Sequence, residues 1–82
     1  MRKPKPIVSS IGQLLALCRE MKGETLREVA HRTGVSNGFL CQIENGSAMP
    51  GLLVAVILCD HYGIKIERLA TILREHGAGG AE

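Results

Sequence analysis

Aromatic residues are nearly absent from this chain: Phe39 and Tyr62 are the only two in 82 residues. The core must therefore be aliphatic. No set of rings exists on which unstacked bases could lie, which argues against a single-strand or RNA reader and leaves duplex DNA as the better nucleic-acid partner. Metal and catalytic signatures are missing as well. Cys18, Cys41 and Cys59 are widely spaced and odd in number, with no CxxC or Cys/His ligand spacing. Neither a zinc site nor a disulfide framework follows, and a reducing cytoplasm is the expected home. A buried or half-buried thiol is the plain expectation for each, with oxidant sensing by Cys41 as the alternative. His31, His61 and His76 are scattered. Cys59 and His61, two apart on a helix, point about 200° away from each other and form no nucleophile–base pair. With no carboxylate pair and no phosphate-binding loop, neither enzyme activity nor a cofactor is expected.

Long hydrophobic runs are also lacking. The longest, residues 51–59, falls far short of the ~20 residues that span a bilayer. Basic residues ahead of Leu15-Ala-Leu-Cys18 loosely resemble a lipoprotein leader, but Ser9, Ser10, Gly12 and Gln13 interrupt the apolar stretch and Leu17 is too large for the cleavage position. An excess of charge of one sign is lacking too. A net charge of +2 does not by itself mark a nucleic-acid protein, although Arg2, Lys3 and Lys5 crowd the N-terminus.

What is present is a hydrophobic fraction of 45% in a chain long enough for one domain with a small core. Oligomerisation commonly supplements such a core. The informative stretch is residues 25–46, which reads as two short helices joined by a tight turn. Thr25 and Glu28 form a capping box, so a helix starts at Leu26. Leu26, Val29 and Ala30 fall on one side; Arg27, Glu28, His31 and Arg32 fall on the other. Gly34 ends that helix and Val35 plugs the turn. Ser36 caps the next helix, Leu40 and Ile43 pin it to the core with Phe39 at the margin, and Gly46 stops it. Asn37, Gly38, Cys41, Gln42 and Asn45 then face outward. None is charged or bulky, and a side-chain amide offers the paired donor and acceptor that fits the major-groove edge of adenine.

These residues carry a resemblance. TLREVA from Thr25, TGVS from Thr33, IENG from Ile43, Pro50, and YGIKIERL from Tyr62 resemble the Cro/C1-type helix-turn-helix family, also called the XRE family, of phage and bacterial repressors. The likeness covers roughly residues 10–73. It implies an all-α fold, a compact five-helix lambda-repressor-like DNA-binding domain. By position it implies base contacts from Asn37, Gly38 and Gln42, and backbone contacts from Thr25, Ser36 and Asn45. It further implies an ion pair between Arg19 and Glu44. Two departures stand out: Leu26 occupies a place where relatives often have a phosphate-reaching Gln, and Gly38 has no side chain.

In chain order, residues 1–8 hold two prolines and three positive charges and read as an extended basic arm rather than a helix, with Arg2 and Lys3 as candidate DNA-backbone contacts. The alternative is a solubilising tail. A helix-turn-helix domain spans 9–76. Its first helix, capped by Ser9 or Ser10, carries Ile11, Leu14, Leu15, Cys18 and Met21 as its core stripe. Ser47, in the loop before Pro50, is a further candidate phosphate donor. In the fourth helix, Leu52, Ala55, Val56, Leu58, Cys59 and Tyr62 satisfy the core, while Leu53, Val54 and Ile57 are apolar in excess. A homodimer interface is the expected cover for those three; the alternative is helix 1 or a folded-back helix 5. The fifth helix, about 66–76, uses Ile66, Leu69, Ile72 and Leu73, and residues 77–82 form a glycine-rich tail.

The function expected from all this is a homodimeric double-stranded DNA-binding transcription regulator, a repressor acting at an inverted-repeat operator with helix 37–45 in the major groove. The rival is an antitoxin or antirepressor that binds a partner protein through the apolar fourth helix.

Overall fold

The computed structural model of the chain describes residues 7–75. Five helices follow one another: α1 (Ile7–Lys22), α2 (Leu26–Thr33), α3 (Asn37–Glu44), α4 (Leu52–Tyr62) and α5 (Ile66–Glu75). No strand occurs among the described residues.

The α2–turn–α3 unit forms as its capping chemistry dictates. Thr25 Oγ1 accepts from the Glu28 N–H at 3.1 Å, and Glu28 Oε1 accepts from the Thr25 N–H at 2.8 Å. The first turn of α2 is thus closed from both directions. At its other end Gly34 adopts φ +80°, where its N–H reaches the Ala30 carbonyl. That left-handed conformation penalises any side chain, hence the glycine. Ser36 Oγ then accepts from the Phe39 N–H and starts α3 after a three-residue turn. Val29, Val35, Leu40 and Ile43 all point inward, and Val29 is wholly removed from solvent. Ile11 and Leu15 of α1, Ala55, Leu58 and Cys59 of α4, and Leu69 of α5 complete the core.

Four expectations require correction. Helix α1 begins at Ile7, so Ile7 and Val8 belong to it rather than to an arm, and Ser9 and Ser10 lie inside it rather than capping it. A proline disfavours helix before itself but suits a helix start, so Pro6 does not stop a helix that begins immediately after it. Met21 is 79% exposed rather than buried. Ten residues beyond Ile11 it has drifted about 80° around the helix and off the covered stripe.

On α4, Leu52 and Val56 are exposed instead of buried, while Val54 and Ile57 are half-buried and pack against the core. Hydrophobicity all round the helix hides which side the bundle covers. On α5, Ile66 is exposed because it opens the first turn, and Leu69 takes the buried place. Arg2, Lys3, His76 and the 77–82 tail lie outside the described residues.

Leu58, only 1% exposed, lies within the aliphatic core. Leu58→Ala is expected to cost about 2–5 kcal/mol, and Met21→Ala less than about 0.5, as read from urea unfolding of each variant.

Candidate nucleic-acid interface

Helix α3 divides cleanly. Leu40 and Ile43 are buried, whereas Asn37, Gly38, Cys41, Gln42 and Asn45 are all exposed and share the outward side. Nothing stands within 4 Å of the place a Cβ would occupy on Gly38. The outward surface is therefore polar, uncharged and unobstructed.

A hydrogen bond decides how one of these amides presents itself. Asn45 Oδ1 accepts from the Ser47 N–H at 2.9 Å. With its acceptor engaged, the exposed Asn45 amide has its two N–H donors to offer, an arrangement suited to an anionic oxygen rather than to a base edge that offers both donor and acceptor. Gln42 has its backbone carbonyl tied to the Ser47 and Ala48 N–H groups, which fixes the loop after α3 without using the side chain. Ser36 and Thr25 both accept capping bonds, and each hydroxyl retains a proton to donate. Ser47 is exposed beside them.

Behind this face lies a polar cluster that joins four helices. Arg19 of α1 donates from Nε to Glu44 Oε2 at 2.8 Å and from Nη2 to Glu44 Oε1 at 3.0 Å, a two-pronged pair to the end of α3. Its Nη1 donates to the Glu24 carbonyl at 2.9 Å. Both side chains are largely covered, with 18% and 13% of their surface exposed. The Glu44 carboxylate holds the guanidinium even more firmly in its charged form than usual.

Beside this pair, Glu24 Oε1 lies 2.8 Å from His61 Nε2 at the end of α4, and Glu24 Oε2 lies 3.5 Å from Arg32 Nε. The bond to His61 draws the Glu24 carboxyl below its ordinary range, so it is ionised at neutral pH. A carboxylate only accepts, which assigns the proton to His61 Nε2. The rings of His61 and Tyr62 meet edge to face at 5.0 Å. Burial, reinforced by the charges of Glu44 and Glu24, pushes the Tyr62 hydroxyl up to about 12.

Sequence reasoning missed three of these residues. Glu24 and His61 are 37 positions apart, and no spacing rule connects them. Gly12 did carry a signal, because a lone glycine inside a helical pattern costs about 1 kcal/mol relative to alanine and usually has a packing reason. The reason here is contact with α3: a Cβ on Gly12 would collide with the Ile43 carbonyl oxygen and press on that of Glu44.

Cys18, Cys41 and Cys59 are free thiols. Burial raises the thiols of Cys18 and Cys59, and Cys41 is exposed on α3. Among the described residues, no group of three or more His, Cys, Asp or Glu is placed to hold a metal ion, and no helix is long and apolar enough to cross a membrane. An apolar groove of about 280 Å³ opens between α4, α5 and the loop before α4, lined by Ile11, Met49, Pro50, Leu52, Ala55, Ile66, Leu69 and Ala70.

The cluster sets two expectations. Arg19→Met alone strands the Glu44 charge and is expected to cost about 1–3 kcal/mol, with the Arg19→Met/Glu44→Met double variant recovering much of that loss in urea unfolding. Because the folded-state carboxyl of Glu24 is depressed, its contribution is fully present above the ordinary value of 4.5 and is lost as pH falls through the lower folded value. Stability followed from pH 7 downward should therefore fall more for the native chain than for Glu24→Gln, and only below about that ordinary value.

Residues 10–72 match the family model described as a helix-turn-helix domain. The chain is also similar to the crystal structure of the clp gene regulator ClgR from C. glutamicum, at 29% identity and a TM-score of 0.71, with 96% of this chain and 97% of that one covered. No curated protein matches at a significant level. With the match spanning all of α2 and α3 and most of the chain besides, this protein belongs to the helix-turn-helix domain family.

Proposed function

We propose that the chain is a cytoplasmic, sequence-specific double-stranded DNA-binding transcription regulator of Cro/C1 type, and that it acts as a repressor by occupying a promoter. The observation that carries this reading is the outward side of α3: amide and small residues, all exposed, braced from behind by buried Leu40 and Ile43. The similarity to a clp gene regulator supports it. Asn37 and Gln42 read base edges, and Gly38 lets the groove wall come close. Ser36, Thr25, Ser47 and the donor end of Asn45 meet the sugar-phosphate backbone, with Arg2 and Lys3 adding charge from the N-terminus.

A second copy completes the reader. Leu53 is 73% exposed and falls by helical spacing on the same side of α4 as the exposed Leu52 and Val56, while Val54 and Ile57 are half-buried. An aliphatic surface of that kind on so small a domain favours a homodimer, and with it an inverted-repeat operator whose half-sites lie ~34 Å apart. The same surface is what favours the rival reading, an antitoxin or antirepressor that binds a partner protein.

Selection of bound duplexes from a random pool at near-physiological salt separates the two. A DNA reader enriches a palindrome and loses affinity steeply with salt; a partner binder does neither. On the enriched site, Gln42→Ala should reduce discrimination at one base pair by ~1–3 kcal/mol, whereas Asn45→Ala should weaken specific and random duplexes alike. Equal loss on both kinds of DNA for the Gln42 variant would defeat the base-reading assignment. Leu53→Glu should shift sedimentation from dimer to monomer while leaving the helical content unchanged.

A further inference from the structure

Gly12 lies in the middle of α1, buried, at the point where α1 crosses the end of α3. The atoms that an added Cβ would strike are the carbonyl oxygens of Ile43 and Glu44, backbone atoms of α3 that cannot rotate out of the way as a side chain would. Other glycines behave differently: around Gly23, Gly34, Gly38, Gly51 and Gly63 no atom lies within 4 Å of the corresponding place. Glycine is a poor choice for a helix interior, so its presence here needs this contact to explain it. Two turns further along the same side of α1 stands Arg19, which grips Glu44 with two hydrogen bonds. The end of α3 is therefore held at two points, by a bare backbone approach at Gly12 and by a charged fork at Arg19.

We propose that Gly12 is a positioning residue for DNA reading, setting how far α3 stands out from the bundle and hence where Asn37 and Gln42 reach. This rests on the assignment of α3 as the base-reading helix. The physical argument is one of leverage. The side chain of Ile43 is clamped in the core at 1% exposure, so a Cβ at Gly12 cannot be absorbed by sliding α3 deeper. The two helices have to part at this point, which tilts the carbonyl end of α3 relative to α1, and tilting one end of an eight-residue helix displaces the amides along its outward side. Bidentate amide-to-base bonds tolerate little displacement, whereas contacts to phosphate through flexible hydroxyls and charges tolerate more.

The test is Gly12→Ala in the full chain, measured on the duplex that the native chain selects from a random pool and on a random duplex of equal length. Helical content and the α3 amide resonances of the free protein are recorded alongside. The expected result is a folded variant whose α3 amide resonances move, whose affinity for random DNA stays within about threefold, and whose affinity for the selected duplex falls about tenfold or more. A folded variant that keeps its discrimination ratio within about threefold overturns the proposal and leaves the base-reading assignment standing.

If the native chain selects no duplex, the base-reading assignment falls and takes the proposal with it. Should Gly12→Ala fail to fold, the native protein decides: the Gly12 Hα resonances, whose surroundings include the Ile43 and Glu44 carbonyl oxygens, must keep their free-state positions in the duplex complex. A large shift on binding overturns the proposal, because α1 would then not be setting α3 in the bound state.

Discussion

The arrangement of α3 depends on how its inner side is held. Leu40 and Ile43 enter the aliphatic core, and the end of the helix meets α1 through both the Gly12 contact and the Arg19–Glu44 pair. These forces differ in kind. Burial of the two aliphatic side chains is strong but non-directional, and would tolerate rotation or sliding of a short helix. The charged fork and the steric stop supply the direction that burial lacks. Glu24 extends the same logic, since it takes the Arg19 side chain at its carbonyl and His61 and Arg32 at its carboxylate. One turn between α1 and α2 thereby gathers restraints from three helices.

Much of this fold was legible in the residues. Thr25, Glu28, Gly34 and Ser36 specify the α2–turn–α3 unit through local rules, in which each residue acts on neighbours within four positions, and the structure shows those bonds in place. The outward placement of Asn37, Gln42 and Asn45 followed from the same periodicity. The Arg19–Glu44 pair spans 25 positions and was accessible only through family likeness, not through any spacing rule.

What escaped was decided by packing between distant elements. Helix α4 is apolar on every side, so its pattern contains no phase, and the division between exposed Leu52 and half-buried Ile57 is set by where α1, α2 and α5 happen to lie. Ile66 was misplaced for a related reason, since periodicity marks the side of a helix that seeks cover but not how far along that side its neighbours extend, whereas Met21 had drifted off that side altogether. Pro6 misled because a residue that forbids helix before it was allowed to forbid helix after it.

Helices α2 and α3 have eight residues each, well below the length at which an isolated helix persists in water. Neither has an existence apart from the assembled bundle. Display of the outward amides is therefore tied to the packed interior. Heat, acid or a cavity made at Leu58, remote from α3 in sequence, would remove the presenting surface in proportion to the fraction of molecules unfolded, so occupancy of any target becomes a readout of global folding.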